Sequence, residues 1–525
     1  MRKIIIAACM LSGLGIGHAT RANEPTGRPA DPGFEYCRAD GGERVAKAEA
    51  SVTKHNLSAG GKGFDYTAAA GTLLIRDDEG KPIAHIGYIA YTRQDPNAHA
   101  APRPVMFAFN GGPGMSSMML HMGLLGPKRV LIADPDAAPS PEYETVDNEF
   151  SMLDKADLVM IDPMGTGWSY AVCGKKIEEF LSVDTDADSV SRFIAQYLSD
   201  NNRWTSPKYI LGESYGTIRA AAVVNYMLAR NSLSFSGVVM LSMATDLQII
   251  ATGLRSNERP YPAFLPGFAA VAWYHHRVAG QPPALEPFLD EVRKFAAGPF
   301  NAALLKGNTL RDDERDAIAE QIHRYTGLSV EYIKTANLRV SEFAFAQELF
   351  RTQSAVVSRL DGRFLGLTSD PLQRGADYDP ALAAIGPFYT GVLQDYLHRD
   401  LKVGTERSYR TANAWIGDHF DLRHQPVGSF YGGSGPAQAL VNAGDDLAQA
   451  LVQEPKLRVL VLSGYFDLGS PFTAAEYMVS HLGVPKPAAD RVQIKYYKAG
   501  HMMYVQQASL QKLKRDLDQF VDTTH

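Results

Sequence analysis

Apolar residues gather along this chain in short unbroken runs. "PVMFAF" (Pro104–Phe109), "DLVMI" (Asp157–Ile161), "YILG" (Tyr209–Gly212), "GVVML" (Gly237–Leu241) and "RVLVL" (Arg458–Leu462) show the continuous apolarity of strands whose sheet is covered on both faces. "HIGYIAYT" (His85–Thr92) alternates more, as an edge-like strand does. Between the runs the period changes. Val190, Phe193, Ile194, Tyr197 and Leu198 share one helical face, behind Asp184, Asp186 and Asp188 as N-terminal acids. Leu510, Leu513, Leu517, Phe520 and Val521 repeat that spacing near the C-terminus. Strands alternating with helices predict an α/β fold on a mostly parallel sheet.

The rhythm breaks after about Thr245 and resumes at Leu457. The intervening stretch is helix-like and punctuated by Pro and Gly, with one clear amphipathic helix (Ile318, Ile322, Tyr325) behind the acidic "RDDERD". This predicts a core in two parts, residues 23–245 and 441–525, interrupted by a largely helical cap insertion over 246–440. A chain of 525 residues is long enough for a large domain with such an insertion.

Residues 1–22 carry Arg2 and Lys3, a short apolar stretch from Ile4 to Ile16, and small residues before a cut after Ala22. This is the pattern of a secretory signal peptide, too short to anchor in a membrane. A lipoprotein signal ending at Cys9 is the alternative. The expectation is an exported protein, periplasmic or secreted, with no membrane span. Removing residues 1–22, which hold Arg2, Lys3 and Arg21 and no acid, takes the formal net charge from −6 to −9. That balance, without a basic cluster, argues against nucleic acid as a partner. Export permits Cys37 and Cys173 to pair, but sequence leaves their separation open.

Between "YILG" and the apolar-periodic "TIRAAAVVNYMLA" stand Gly212, Ser214 and Gly216 as G-x-S-x-G. In a strand–turn–helix setting this is a nucleophile elbow, whose tight turn projects the serine hydroxyl at a helix N-terminus. Ser214 then needs a base, and the base an orienting acid. Asp467 and His501 follow in the order Ser, Asp, His, each just beyond an apolar run, in "VLVLSGYFD" and "VQIKYYKAGH". An oxyanion hole is expected from the backbone N–H of Tyr215 and, in the early loop "FAFNGGPGMSS", that of Gly112.

Together these motifs resemble the serine carboxypeptidase family, on an α/β-hydrolase fold. The resemblance lies in "FNGGPGMSS" closed by Leu125-Gly126-Pro127, in "MIDPMGTGWSYA", in "LGESYG", in "VLSGYFD" and in "KAGHMMYVQQ", in the family's order. It covers about 100–245 and 455–520 and implies release of a C-terminal amino acid from a peptide, favoured at acidic pH. It also implies that Asn110, Gly111 and Glu213 bind the terminal carboxylate of the substrate. A protonated Glu213 donates to a carboxylate, whereas an ionised one repels it. The chain departs from the pattern at Leu124, where the family carries a second glutamate, at Met115 for a cysteine, and at Ala108 for a tryptophan. His121, three residues before Leu124, is the candidate replacement for the lost acid if protonated; a packed or solvated helix histidine is the alternative.

An esterase or acyltransferase using the same triad, and a non-catalytic binding protein on a hydrolase scaffold, are the competing readings. No metal-ligand spacing, phosphate loop or dinucleotide fingerprint accompanies the strands, so neither a metal nor a cofactor is expected.

Overall fold

The apolar runs become the centre of one twisted sheet. The computed structural model describes residues 50–94, 102–132, 145–404, 408–428 and 434–524; the expected signal peptide and Cys37 lie outside them. The strands are β1 (Ala50–Ala59), β2 (Lys62–Arg76), β3 (Pro82–Arg93), β4 (Val105–Phe109), β5 (Asp157–Ile161), β6 (Lys208–Glu213), β7 (Gly237–Leu241), β8 (Arg458–Gly464) and β9 (Val492–Tyr497). They lie in the order β1-β2-β3-β5-β4-β6-β7-β8-β9, with a short strand Tyr170–Ala171 beside β3. From β5 to β9 every pairing is parallel, while β1, β2 and β3 join antiparallel. This is the α/β-hydrolase fold the sequence predicted.

Helices α1 (Val183–Asp200), α2 (Tyr215–Asn231), α3 (Pro260–Tyr274), α4 (Pro380–Arg399), α5 (Phe472–Ser480) and α6 (Gln507–Thr523) cover the two faces. Successive strand residues point to opposite sides, which divides the core in two. Phe107, Ile210, Val238 and Val459 pack with residues of α1, α2, α3 and α5. Met106, Tyr209, Val239 and Leu460 pack on the other side with residues of α4 and α6. The chain between β7 and β8 thus contributes α3 to one layer and α4 to the other. It also holds a small antiparallel hairpin, Ala355–Val357 with Leu365–Leu367, that periodicity did not reveal.

Two further differences have plain causes. β1 and β2 are rich in Ala, Gly, Thr and Lys and alternate in burial, so no apolar run marks them. The stretch after the glycine loop is not a regular helix: an α-turn over Met118–Leu120 passes into a π-helical turn over His121–Leu125, closed by Gly126 N–H to the His121 carbonyl at 2.9 Å. In such an i→i+5 turn, residues three apart no longer share a face. Among the described residues no helix is long and apolar enough to cross a membrane. Cys173 is disulfide-bonded.

Candidate active site

Four parallel strands of the sheet deliver the candidate residues at their carboxyl ends, where open α/β sheets leave a crevice. β4 leads into Asn110, β6 into Ser214, β8 into Asp467 and β9 into His501. Ser214 sits between β6 and α2 with φ +61° and ψ −128°, a backbone conformation that costs a non-glycine residue free energy. Its N–H is tied to the Leu241 carbonyl at 3.0 Å. The sequence-predicted elbow is therefore a strained turn held by its neighbouring strand.

The glycine loop lies directly against this turn. A Cβ on Gly111 would fall 2.5 Å from the Tyr215 nitrogen, so only glycine permits the approach. Behind the elbow, buried Arg219 donates to the Asn110 carbonyl at 2.8 Å and pairs with Asp186 at 2.7 Å. Tyr215 Oη reaches the same Asp186 oxygen at 3.1 Å. The guanidinium also rests over the Phe109 and Tyr215 rings. One buried cation thus joins the glycine loop, the elbow helix and α1. The signal for it was an arginine inside the apolar "TIRAAAVV", and for Asp186 an acid in the first turn of α1. Asp162, from the "DPMGTGWSYA" block, supports the loop from its far side by accepting from Ser117 N–H at 3.0 Å and Tyr409 Oη at 2.8 Å.

His501 Nδ1 lies 2.8 Å from Asp467 Oδ2. Asp467 is fully buried, and its other oxygen accepts the N–H groups of Gly469 at 2.7 Å and Ser470 at 2.9 Å. Its carboxylate is thereby aimed at the imidazole. Burial works against the charged form of His501, but Asp467 and then Glu213 outweigh it and leave the imidazole pKa raised.

Ser214, His501, Glu213 and Asn110–Gly112 line one cavity of about 550 Å³, whose lining also includes Phe343, Arg359, Leu360, Asp379 and Leu382. Glu213 is buried, and desolvation pushes its carboxyl up to about 7 against the opposing pull of His501, Tyr504 and Asn110. Tyr504 Oη donates to Glu213 Oε2 at 2.9 Å. Tyr504 stands three residues after His501 in the histidine block, and the sequence reading did not use it.

His121 does not join this group, which corrects its expected role. It is buried, its Nε2 lies 2.7 Å from Tyr91 Oη, and its ring packs beside Tyr91 and Tyr396. With no acid beside it, burial pushes its pKa down to about 3, so the imidazole is neutral and offers a carboxylate no charge. The π-turn explains the placement, since it rotates His121 away from the face sequence spacing gave it.

Comparison with known proteins bears on residues 80–254, which match the family model of the serine carboxypeptidases. The pheromone-processing carboxypeptidase KEX1 of Candida dubliniensis is 25% identical over 195 residues, 36% of this chain and 25% of that protein. The match therefore spans a quarter of that relative's length. Among solved structures, the proline iminopeptidase of Mycobacterium smegmatis aligns over 86% of this chain and 98% of its own at 13% identity, TM-score 0.34. A putative aryl esterase from Burkholderia cenocepacia aligns over the same shares at 12% identity, TM-score 0.36. It is the segment from 80 to 254, carrying the Asn110–Gly112 loop and the Glu213–Ser214 elbow, that relates this chain to the serine carboxypeptidases.

Proposed function

We propose that this protein is an exported serine carboxypeptidase that releases C-terminal amino acids from peptides at mildly acidic pH. The observation that carries the reading is a buried carboxyl, Glu213, adjacent to the strained Ser214 and in one cavity with the Asp467-bonded His501. A general acyl-transfer site has no use for such an acid. A site that must hold a carboxylate beside the scissile bond does, because neutral Glu213 donates a hydrogen bond where an ionised one repels.

In this reading the substrate's terminal carboxylate lies against Asn110, Gly111 and Glu213. Ser214 Oγ attacks the last peptide carbonyl while His501 Nε2 takes the hydroxyl proton. The N–H groups of Gly112 and Tyr215 receive the oxyanion, a contribution of about 3 kcal/mol per donor. Collapse breaks the C–N bond, and the His501 proton passes to the departing amine. A water then loses a proton to His501, attacks the acyl carbon and frees Ser214, which recovers that proton.

The pH dependence follows from the pair. Protonating Glu213 removes the negative charge that helps to raise His501, so one proton on Glu213 both admits the substrate carboxylate and favours the neutral base. The two groups titrate together, and the limbs of a bell-shaped kcat/KM profile belong to both. Above about pH 7 Glu213 ionises, and KM rises.

The test is digestion of one peptide with a free and with an amidated C-terminus across pH 4–8, with Ser214→Ala as control. Stepwise loss of C-terminal residues from the free peptide alone supports the reading. Equal cleavage of both overturns it in favour of a broader hydrolase.

A further inference from the structure

The hairpin Ala355–Val357/Leu365–Leu367 carries a loop, residues 358–364, that hydrogen-bonds to both of the loops that bear the acid and the base. The Leu360 carbonyl accepts the N–H of His501 itself at 2.6 Å. The Arg359 carbonyl accepts from Leu468, next to Asp467, at 2.8 Å, and Gly362 donates to the Phe466 carbonyl at 2.8 Å. Asp361 Oδ2 accepts the N–H of Gly500, the residue before the base, at 3.2 Å. Arg363 grips the same carboxylate through Nε at 2.9 Å and its terminal nitrogen at 2.6 Å, and reaches on to the Lys498 carbonyl at 3.3 Å. Asp361 and Arg363 are both buried.

The contact is close enough to restrict the backbone. A Cβ on Gly500 would sit 2.5 Å from the Leu360 oxygen. The loop is itself anchored from behind. Asp379, the N-cap of α4, accepts from Ser358 Oγ at 2.7 Å, Arg359 N–H at 2.9 Å, Leu360 N–H at 3.2 Å and Leu382 N–H at 3.0 Å. A connected path thus runs from α4 through Asp379 and Asp361 to the residue that precedes the base.

We propose that Asp361, fixed by Arg363, is a positioning residue for the general base: it sets where His501 stands relative to Asp467 and Ser214 and so ties the chain between β7 and β8 to the chemistry. A buried ion pair two residues apart is weak ground for stability, since apolar residues of similar volume replace such pairs at little cost. Its effect is geometric. It fixes the N–H of Gly500 while Leu360 holds the N–H of the next residue, His501, and a misplacement of about 1 Å at a catalytic group costs about a hundredfold in rate. The proposal rests on the Ser214–His501–Asp467 reading and is indifferent to whether the substrate is a peptide.

The experiment compares Asp361→Ala and Asp361→Asn with wild type, per folded molecule, in three reactions: phosphonylation of Ser214 by an alkyl fluorophosphonate with loss of fluoride, hydrolysis of a small activated ester, and hydrolysis of a peptide. The downfield proton resonance of the His501 Nδ1–H is followed in parallel. Asp361→Ala is expected to slow all three reactions by one common factor of about 10 to 100, with KM within about twofold and the resonance shifted or lost. Asp361→Asn keeps an acceptor for Gly500 and is expected to restore most of the rate and the resonance. If the alanine variant does not accumulate folded, Asp361→Asn and Arg363→Gln decide, the latter expected to slow phosphonylation about 3- to 10-fold with a smaller resonance shift. Folded variants with wild-type phosphonylation rate and resonance, or a loss confined to peptide KM, overturn the proposal. A wild-type protein inert to the phosphonate removes the triad reading and this proposal with it.

Discussion

His501 and His424 are both buried and both meet aspartate oxygens at hydrogen-bond distance, but their surroundings differ at one ring nitrogen. His501 spends Nδ1 on Asp467, at 2.8 Å, and presents its ring to the cavity it shares with Ser214. His424 spends both nitrogens, Nδ1 on Asp184 and Nε2 on Asp446, each at 2.6 Å. Burial disfavours its charge, yet the two carboxylates overcome that and push its pKa up to about 9. It is an imidazolium clamp joining α1 to the helix Gly444–Gln453, with Asn225 of α2 donating to the same Asp446 at 2.8 Å. His121, with no acid at all, is the third case, and there burial prevails. Of these three histidines, His501 alone has one nitrogen oriented by a carboxylate and a ring that lines the cavity with Ser214.

The largest effect that sharpens this contrast is on activity. Replacing His501 by alanine is expected to lower kcat by about ten-thousand-fold or more with the fold intact by circular dichroism, whereas His424→Ala leaves kcat/KM per folded molecule within about twofold. Asp467→Asn, which leaves the imagined geometry in place but permits the wrong tautomer, is expected to cost a comparable factor in ester hydrolysis.

Stability reverses the order. The folded pKa of His424, about 9, lies above the 6.5 of an unfolded histidine, so its contribution is fully present below pH 6.5 and fades as pH rises through 9. The gap corresponds to about 3 kcal/mol. His424→Gln should therefore lower the urea unfolding midpoint clearly at pH 6 and hardly at pH 10; an equal loss at both would show that the clamp carries no charge. Glu213 has the same sign in a lower pH window. Its folded pKa, about 7, lies above 4.5, so native stability declines as pH rises through that window. Glu213→Gln should relieve the decline and flatten the KM profile for peptides between pH 5 and 8. The smallest effect is at His121: replacement by leucine, which removes its hydrogen bond to Tyr91 but no group of the cavity, is expected to leave peptide KM unchanged within about twofold.

Much of this was legible before any coordinates. Buried parallel strands have an unmistakable composition, and β4 to β8 emerged from it because both faces of each are covered. The residues at their carboxyl ends followed, since G-x-S-x-G and the Ser, Asp, His order locate chemistry relative to strands. What sequence could not supply were partners made across long separations. Arg219 with Asp186, Tyr504 with Glu213, and Asp361 with Gly500 are ordinary polar residues in sequence, and only folding places them together. His121 misled for a local reason: spacing arguments assume 3.6 residues per turn, and the chain after the glycine loop takes a π-turn instead. Asp184 stands in the first turn of α1 as its spacing implied, and the fold adds a partner the sequence did not show, His424.

The central claim is that Ser214 is activated by His501 through Asp467. Its most direct test is the pH-dependent rate of single-site phosphonate labelling, followed by intact mass with the site mapped by peptide sequencing, in wild type, His501→Ala and His424→Ala. The account predicts one adduct on Ser214 in wild type, the same rate in His424→Ala, and essentially none in His501→Ala. Labelling elsewhere, or labelling of Ser214 that survives the loss of His501, would contradict it.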